Sequence, residues 1–276
     1  MKNANLNLYP LFDTHCHFDF DEFRADFSAE VKEARSQGVM RFLLPAIGPD
    51  NWLRLLMLAD QEPDIFIALG FHPYFLSNYD LSDLEKLAQH LAKRPRACVA
   101  VGECGLDFMI DVPAALQESF LLAQIELASQ YQLPLILHCR KAHNRLLQLL
   151  KQTRFSYGGV LHGFTGSYQQ AMQFVELGFK IGVGGSITYP RANKTRSAMA
   201  QLPLDALVLE TDAPDMPLMG YQGQANHPKR VGQIFETLVS LRKESRQTVA
   251  KTVWKTSNSL FSISANLVMM GDRQAF

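Results

Sequence analysis

A (β/α)8 barrel is the fold class that the sequence predicts, and three observations carry it. Eight short apolar runs, rich in Val, Ile, Leu and Phe, alternate with segments of helical period, as buried parallel strands and their crossover helices do. The runs end near His15, Ala46, His72, Glu103, His138, His162, Gly185 and Asp212, at intervals of roughly 30 residues, about one βα unit each. No GxGxxG follows the first run, which removes the dinucleotide-binding form of the competing open doubly wound sheet. Eight units fit a chain of 276 residues as one barrel.

The elements follow in order. The spacing predicts strands over 11–17, 42–47, 65–71, 98–102, 133–137, 160–161, 179–183 and 207–209. Helices are predicted between and after them. The segment 28–37 stops at Gly38, and 51–61 carries Leu53, Leu56 and Met57. The segment 81–93 places Leu84, Leu87, Ala88 and Leu91 on one face after Asp80, and 113–131 starts on a proline, which a first turn tolerates. Then come 143–152, 168–177 (closed by Gly178), 195–201, 228–242 and 246–261. A single hydrolase domain is expected, with its core at about 8–262. The tail, 263–276, carries Met269 and Met270 and reads as loosely held.

Composition bounds the function. Equal counts of 27 basic and 27 acidic residues exclude a broadly basic nucleic-acid coat, but not a local basic or metal-lined cleft. Four cysteines are too few for a disulfide scaffold. The N-terminal MKNANLNLYP has no apolar stretch of signal-peptide type, and no run approaches the roughly 20 apolar residues of a membrane span. A cytoplasmic protein is expected, with no membrane association and no obligate protein partner.

In a barrel the C-terminal strand ends converge on one face, so distant residues meet there. With His72 set aside, five of the eight ends carry metal-ligand types: Asp13-Thr14-His15-Cys16-His17, Glu103, His138, His162 and Asp212. His15 and His17, two apart on a strand, share a face, and Cys16 points away into packing. A carboxylate such as Glu103 at a dry barrel mouth is costly unless paired or metal-bound, and it can bridge two cations where a neutral imidazole cannot. His138 and His162, each after an apolar strand, would singly read as structural histidines; with Glu103 they form a set suited to Zn, Mn or Co. Asp212 ends the eighth strand, beside the first in a closed barrel, where it can reach the ion of His15 and His17 or take a proton from a water.

Around this set stand weaker candidates. His72, in Gly70-Phe71-His72-Pro73, reads as a group that orients substrate or protonates a leaving oxygen, or as a structural histidine before a turn. Arg140 and Lys141 could hold a phosphate or simply be solvated. Arg191, Lys194 and Arg196 follow the seventh strand as a local basic rim. Phe18, Phe71, Phe75, Phe108, Phe164 and Tyr189 near strand ends could stack bases or pack.

Five strings together, from Leu11-Phe12-Asp13-Thr14-His15-Cys16-His17-Phe18-Asp19 through Gly70-Phe71-His72-Pro73, Gly102-Glu103-Cys104-Gly105-Leu106-Asp107 and His162-Gly163-Phe164-Thr165-Gly166 to Glu210-Thr211-Asp212-Ala213-Pro214, resemble the TatD family of metal-dependent hydrolases, most of all its bacterial YjjV branch. The resemblance runs from about Leu11 to Phe261 in the family's order and spacing. It implies an amidohydrolase-like TIM barrel and a nuclease or phosphoesterase activity. It also implies two divalent cations per subunit (Zn, Mn or Mg), one held by His15 and His17 and completed by Asp212, the other held by His138 and His162, with Glu103 bridging. Two positions depart from the family pattern. Lys141 stands where members often have an acid, and Asn226-His227-Pro228 stands where many have Asn-Glu-Pro.

Three functions follow from these residues. The first is a two-metal phosphoesterase, a TatD-like DNase, acting on DNA or another phosphoester with Asp212 and His72 as catalytic groups and Arg140 as a substrate contact. The second is a metal-dependent hydrolase of a small ester, lactone or amide. Such barrels commonly bridge their metals with a carboxylated lysine at the fourth strand, and residues 97–107 contain no lysine. The third is a non-catalytic metal binder, which would need closed coordination.

Overall fold

A computed structural model describes residues 9–265. Eight parallel strands form one sheet in sequential order: β1 (Leu11–Asp13), β2 (Val39–Pro45), β3 (Ile65–Leu69), β4 (Cys98–Asp107), β5 (Leu135–Arg140), β6 (Gly159–Leu161), β7 (Phe179–Val183) and β8 (Leu207–Leu209). The sheet closes between β8 and the segment after β1. Thr14 donates to the Leu209 carbonyl from both its N–H and its hydroxyl, 2.9 Å each; Asp212 N–H donates to His15 O and His17 N–H to Ala213 O. The barrel is therefore complete, as the sequence predicts.

The helices lie between the strands: α1 (Phe27–Ser36), α2 (Pro49–Gln61), α3 (Leu84–Ala92), α4 (Ala114–Tyr131), α5 (His143–Thr153), α6 (Tyr168–Val175) and α7 (Asn193–Gln201), with α8 (Val231–Leu241) and α9 (Arg246–Leu260) after β8. Local chemistry sets several of their ends. The Asp26 side chain accepts from Ala29 N–H at the start of α1, and Ser167 and Gln170 form a reciprocal capping box on α6. Residues 81–83 and 228–230, expected as helix, are separate 3-10 turns.

Strand alternation divides the packing. Phe12, Leu43, Ala68, Ala100, Ile136, Val160 and Val208 fill the barrel interior, while their neighbours pack outward against the helices. Cys16 is fully buried in that outer layer, as its place between two histidines predicts. The bottom of the barrel is covered by Trp254 and Phe261. The residues just after Phe261 are pinned there: Arg41 donates to Ser264 O, and Trp254 Nε1 donates to Ala265 O at 2.9 Å. Met269 and Met270 lie outside the described residues.

Two strand boundaries differ in a way that matters for the site. Glu103, expected just past a strand ending at Gly102, lies inside β4, which runs on to Asp107; His138 likewise lies within β5. The β4–β5 register shifts between Val101 and Cys104. Two amides on α4 hold this region from outside. Gln117 pairs with the backbone of Asp107 in both directions, accepting from its N–H at 2.7 Å and donating to its carbonyl at 2.9 Å. Gln124 accepts from Phe71 N–H and fixes the segment that carries His72.

Candidate metal centre

Inward-facing positions two residues beyond the barrel core deliver part of the site. His138 follows Ile136, His162 follows Val160 and Glu210 follows Val208, each at the spacing that returns a side chain to the same face. β4 adds Glu103, and the segment after β1 adds His15 and His17. Asp212 reaches the cluster from a left-handed backbone (φ 57), a conformation that Asp tolerates better than most residues. Its N–H bonds to His15 O, which ties the two strand ends together.

The Glu103 carboxylate lies between two groups of imidazoles. Its Oε2 is 3.1 Å from His15 Nε2 and 4.0 Å from His17 Nε2. Its Oε1 is 2.7 Å from His162 Nε2, 3.0 Å from His138 Nδ1 and 3.1 Å from His72 Nε2. Asp212 Oδ1 sits 3.5 Å from His15 Nε2 and 3.8 Å from His17 Nε2. All six residues singled out from the sequence as metal-ligand types thus meet in one cluster, and His72 joins them. Arg140 stands at the exposed end of β5, outside the cluster, near Asp107.

Burial sets the charges. The His15 imidazole is fully buried, which pushes its pKa down to about 3 and keeps it neutral. Burial works against ionised Glu103, but the imidazoles of His162, His72 and His15 hold its carboxyl well below the usual range. Burial raises Asp212. Both nitrogens of His15, and Nδ1 of His17 and of His162, are buried without a hydrogen-bond partner among the described residues. Imidazole nitrogens and carboxylates turned toward one another in a buried cluster are the donor set of a divalent cation, and the residues present fit one.

Three acids escaped the sequence reading. Asp107 accepts from His138 Nε2 at 3.2 Å, which turns Nδ1 toward Glu103. Asp13 accepts from Thr211 N–H, the Thr211 hydroxyl and His15 N–H, joining the ends of β1 and β8. Glu210 is fully buried, and that raises its pKa to about 7; its Oε1 accepts from Gly163 N–H at 2.6 Å. Its position two residues after Val208 was the available signal. The Glu210 carboxylate occupies the interior space that Gly182 on β7 leaves: a Cβ there would lie 2.3 Å from Glu210 Oε2. Gly182→Ala is therefore expected to lower stability by about 1–3 kcal/mol, read as a lower denaturation midpoint with unchanged slope.

The aromatic candidates separate cleanly. Phe18, Phe71 and Phe164 are core, whereas Phe108 is 41% exposed at the barrel mouth. His227, at the second departure from the family pattern, has both ring nitrogens engaged. Its Nδ1 accepts from Lys229 N–H, and Nε2 faces Glu30 at 2.7 Å, so it straps the segment after β8 to α1.

Imidazoles and carboxylates gathered at the C-terminal mouth of a closed barrel define a metal-dependent hydrolase of the (β/α)8 class. Within that class the chain belongs to the TatD family: residues 12–262 match the family model described as TatD related DNase. The chain is 47% identical over 252 residues to the uncharacterised metal-dependent hydrolase YjjV of Escherichia coli K12, covering 91% of this chain and 97% of that protein. The crystal structure of E. coli YjjV superposes with a TM-score of 0.90 at 46% identity, over 92% of this chain and 98% of that one. The 3'-5' ssDNA/RNA exonuclease TatD of Rahnella sp. Y9602 is 32% identical over 263 residues, covering 92% and 99%. No helix among the described residues is long and apolar enough to cross a membrane.

Proposed function

We propose that the protein is a divalent-metal-dependent phosphoesterase that cleaves nucleic-acid phosphodiesters, DNA first among them. His15, His17 and Asp212 would hold one cation, His138 and His162 a second, and Glu103 would be shared. The observation that carries this reading is the placement of the Glu103 carboxylate, one oxygen toward His15 and His17 and the other toward His138 and His162. When bound, the two cations supply Lewis acidity, acidifying a water and neutralising phosphoryl charge. The Rahnella relative, named as a nuclease of single strands, supports the substrate class.

The chain's own residues divide the remaining work. Asp212 takes the proton of the attacking water at its carboxylate. His72 Nδ1 accepts from Tyr74 N–H, so the neutral ring carries its proton at Nε2, the nitrogen that faces Glu103 and His138. From there it can offer a hydrogen bond to the leaving oxygen, with the proton staying on the ring. Arg140 meets a substrate phosphate at the mouth. Asp107 keeps the His138 ring in register, so Asp107→Asn is expected to cost about 10–100-fold in metal affinity or turnover. Titration of the purified variant with Mn or Zn checks this.

The deciding experiment offers the protein, loaded with Mg, Mn or Zn, bis(p-nitrophenyl) phosphate, single-stranded DNA, RNA and a set of lactones. Phosphodiester hydrolysis is expected, lost on chelation and restored by at least one of the cations. Turnover of lactones alone would overturn the reading.

A further inference from the structure

A cavity of about 350 Å3 opens beside the metal centre, lined by Phe108, Lys141, His143, Asn144, Arg145 and Gln170. Two of its lining residues are tied to the centre through the chain. Phe108 follows Asp107, the partner of His138, and its N–H bonds to Arg140 O; Lys141 lies three residues after His138.

Its chemistry is cationic and aromatic. Arg145 is neutralised by a two-pronged pair with Glu118, at 2.7 and 2.6 Å. Lys141, just past β5, lines the cavity, and Lys194 stands on α7; both are exposed, and after burial their charges hold the pKa of His143, on the cavity wall, below its usual value. α5 begins here without a side-chain cap. Phe108 exposes 41% of its surface and Met109 56%.

We propose that this cavity is a subsite for a second phosphate of a nucleotide substrate, next to the phosphate being hydrolysed, with Lys141 and Lys194 binding the anion and Phe108 stacking the attached base. The inference rests on the phosphodiester reading of the metal centre. A flanking internal linkage and a terminal phosphate share this chemistry.

The test compares hydrolysis of TpT, which carries one phosphate, with TpTpT, pTpT and TpTp, using the metal-loaded protein. At least one of the longer or phosphorylated probes is expected to show kcat/KM about tenfold or more above TpT, mainly through KM. Which probe gains identifies the source of the second phosphate. Lys141→Glu and, from α7, Lys194→Glu are each expected to cut that gain to under threefold, whereas Lys151→Glu at the far end of α5 keeps it. The gain should shrink with added salt. No gain with any probe, or a gain that survives both substitutions at the cavity, would overturn the subsite. Bis(p-nitrophenyl) phosphate separates the two readings: turnover without any gain sinks only the subsite, and no turnover of any phosphodiester sinks both.

Discussion

Glu103→Gln is expected to lower kcat/KM for bis(p-nitrophenyl) phosphate by about a thousandfold, equivalent to about 4 kcal/mol of transition-state stabilisation. The amide keeps the shape of the side chain and removes its charge. It also places a donor on one of two oxygens that each face imidazole nitrogen, at 2.7–3.1 Å on one side and 3.1 Å on the other. An N–H directed at those groups cannot accept a proton or ligate a cation, so one half of the cluster loses its partner. Bound metal, measured by elemental analysis of the purified variant, should fall in parallel, while the circular dichroism spectrum is retained. A variant with full metal content and activity within tenfold of the parent would remove Glu103 from the shared position.

The second large effect lies at the opposite end of the barrel. Trp254→Ala is expected to destabilise the protein by about 3–5 kcal/mol, and so to lower Tm by roughly 10 °C. Trp254 is 8% exposed and closes the barrel interior together with Phe261. Its indole N–H donates to Ala265 O, and the Arg41 guanidinium lies 5.0 Å from its ring centre. Truncation opens a cavity beneath Phe12 and Val208 and takes away both contacts. Arg41 keeps its hydrogen bonds to Asn258 and Ser264, so the tail should loosen without leaving. Trp254→Phe, which restores ring volume but no donor, should recover part of the loss. A Tm within 2 °C of the parent after the alanine substitution would show that this end contributes little. Because the metal centre sits at the other mouth, kcat at 25 °C is expected to move far less than stability.

Much of the site was legible because strand alternation is local. A residue two beyond an inward core position returns to the same face, and that rule places His138 after Ile136 and His162 after Val160. The same rule applied to Val208 reaches Glu210, an acid passed over in favour of Asp212. Asp107 was hidden because the apolar run of β4 breaks at Gly102, although the strand itself continues. Its end is held by Gln117, a polar residue on α4 that periodicity assigns to no partner.

By itself the sequence determined the barrel, the order of its strands and the residue types collected at its mouth, because hydrophobic period and unit length are properties of short stretches of chain. Tertiary structure decided which side chains share an oxygen. The inward parity slips once in β4, where Ala100 and Glu103 both face the interior three residues apart, and again after β1, where Phe12 is followed inward by His15. Each slip is fixed by hydrogen bonds between strand ends, from Glu103 N–H to Ala46 O just past β2 and from Thr14 to Leu209 O across almost two hundred residues. Pairing energies of that kind depend on the closed cylinder and have no trace in any local pattern.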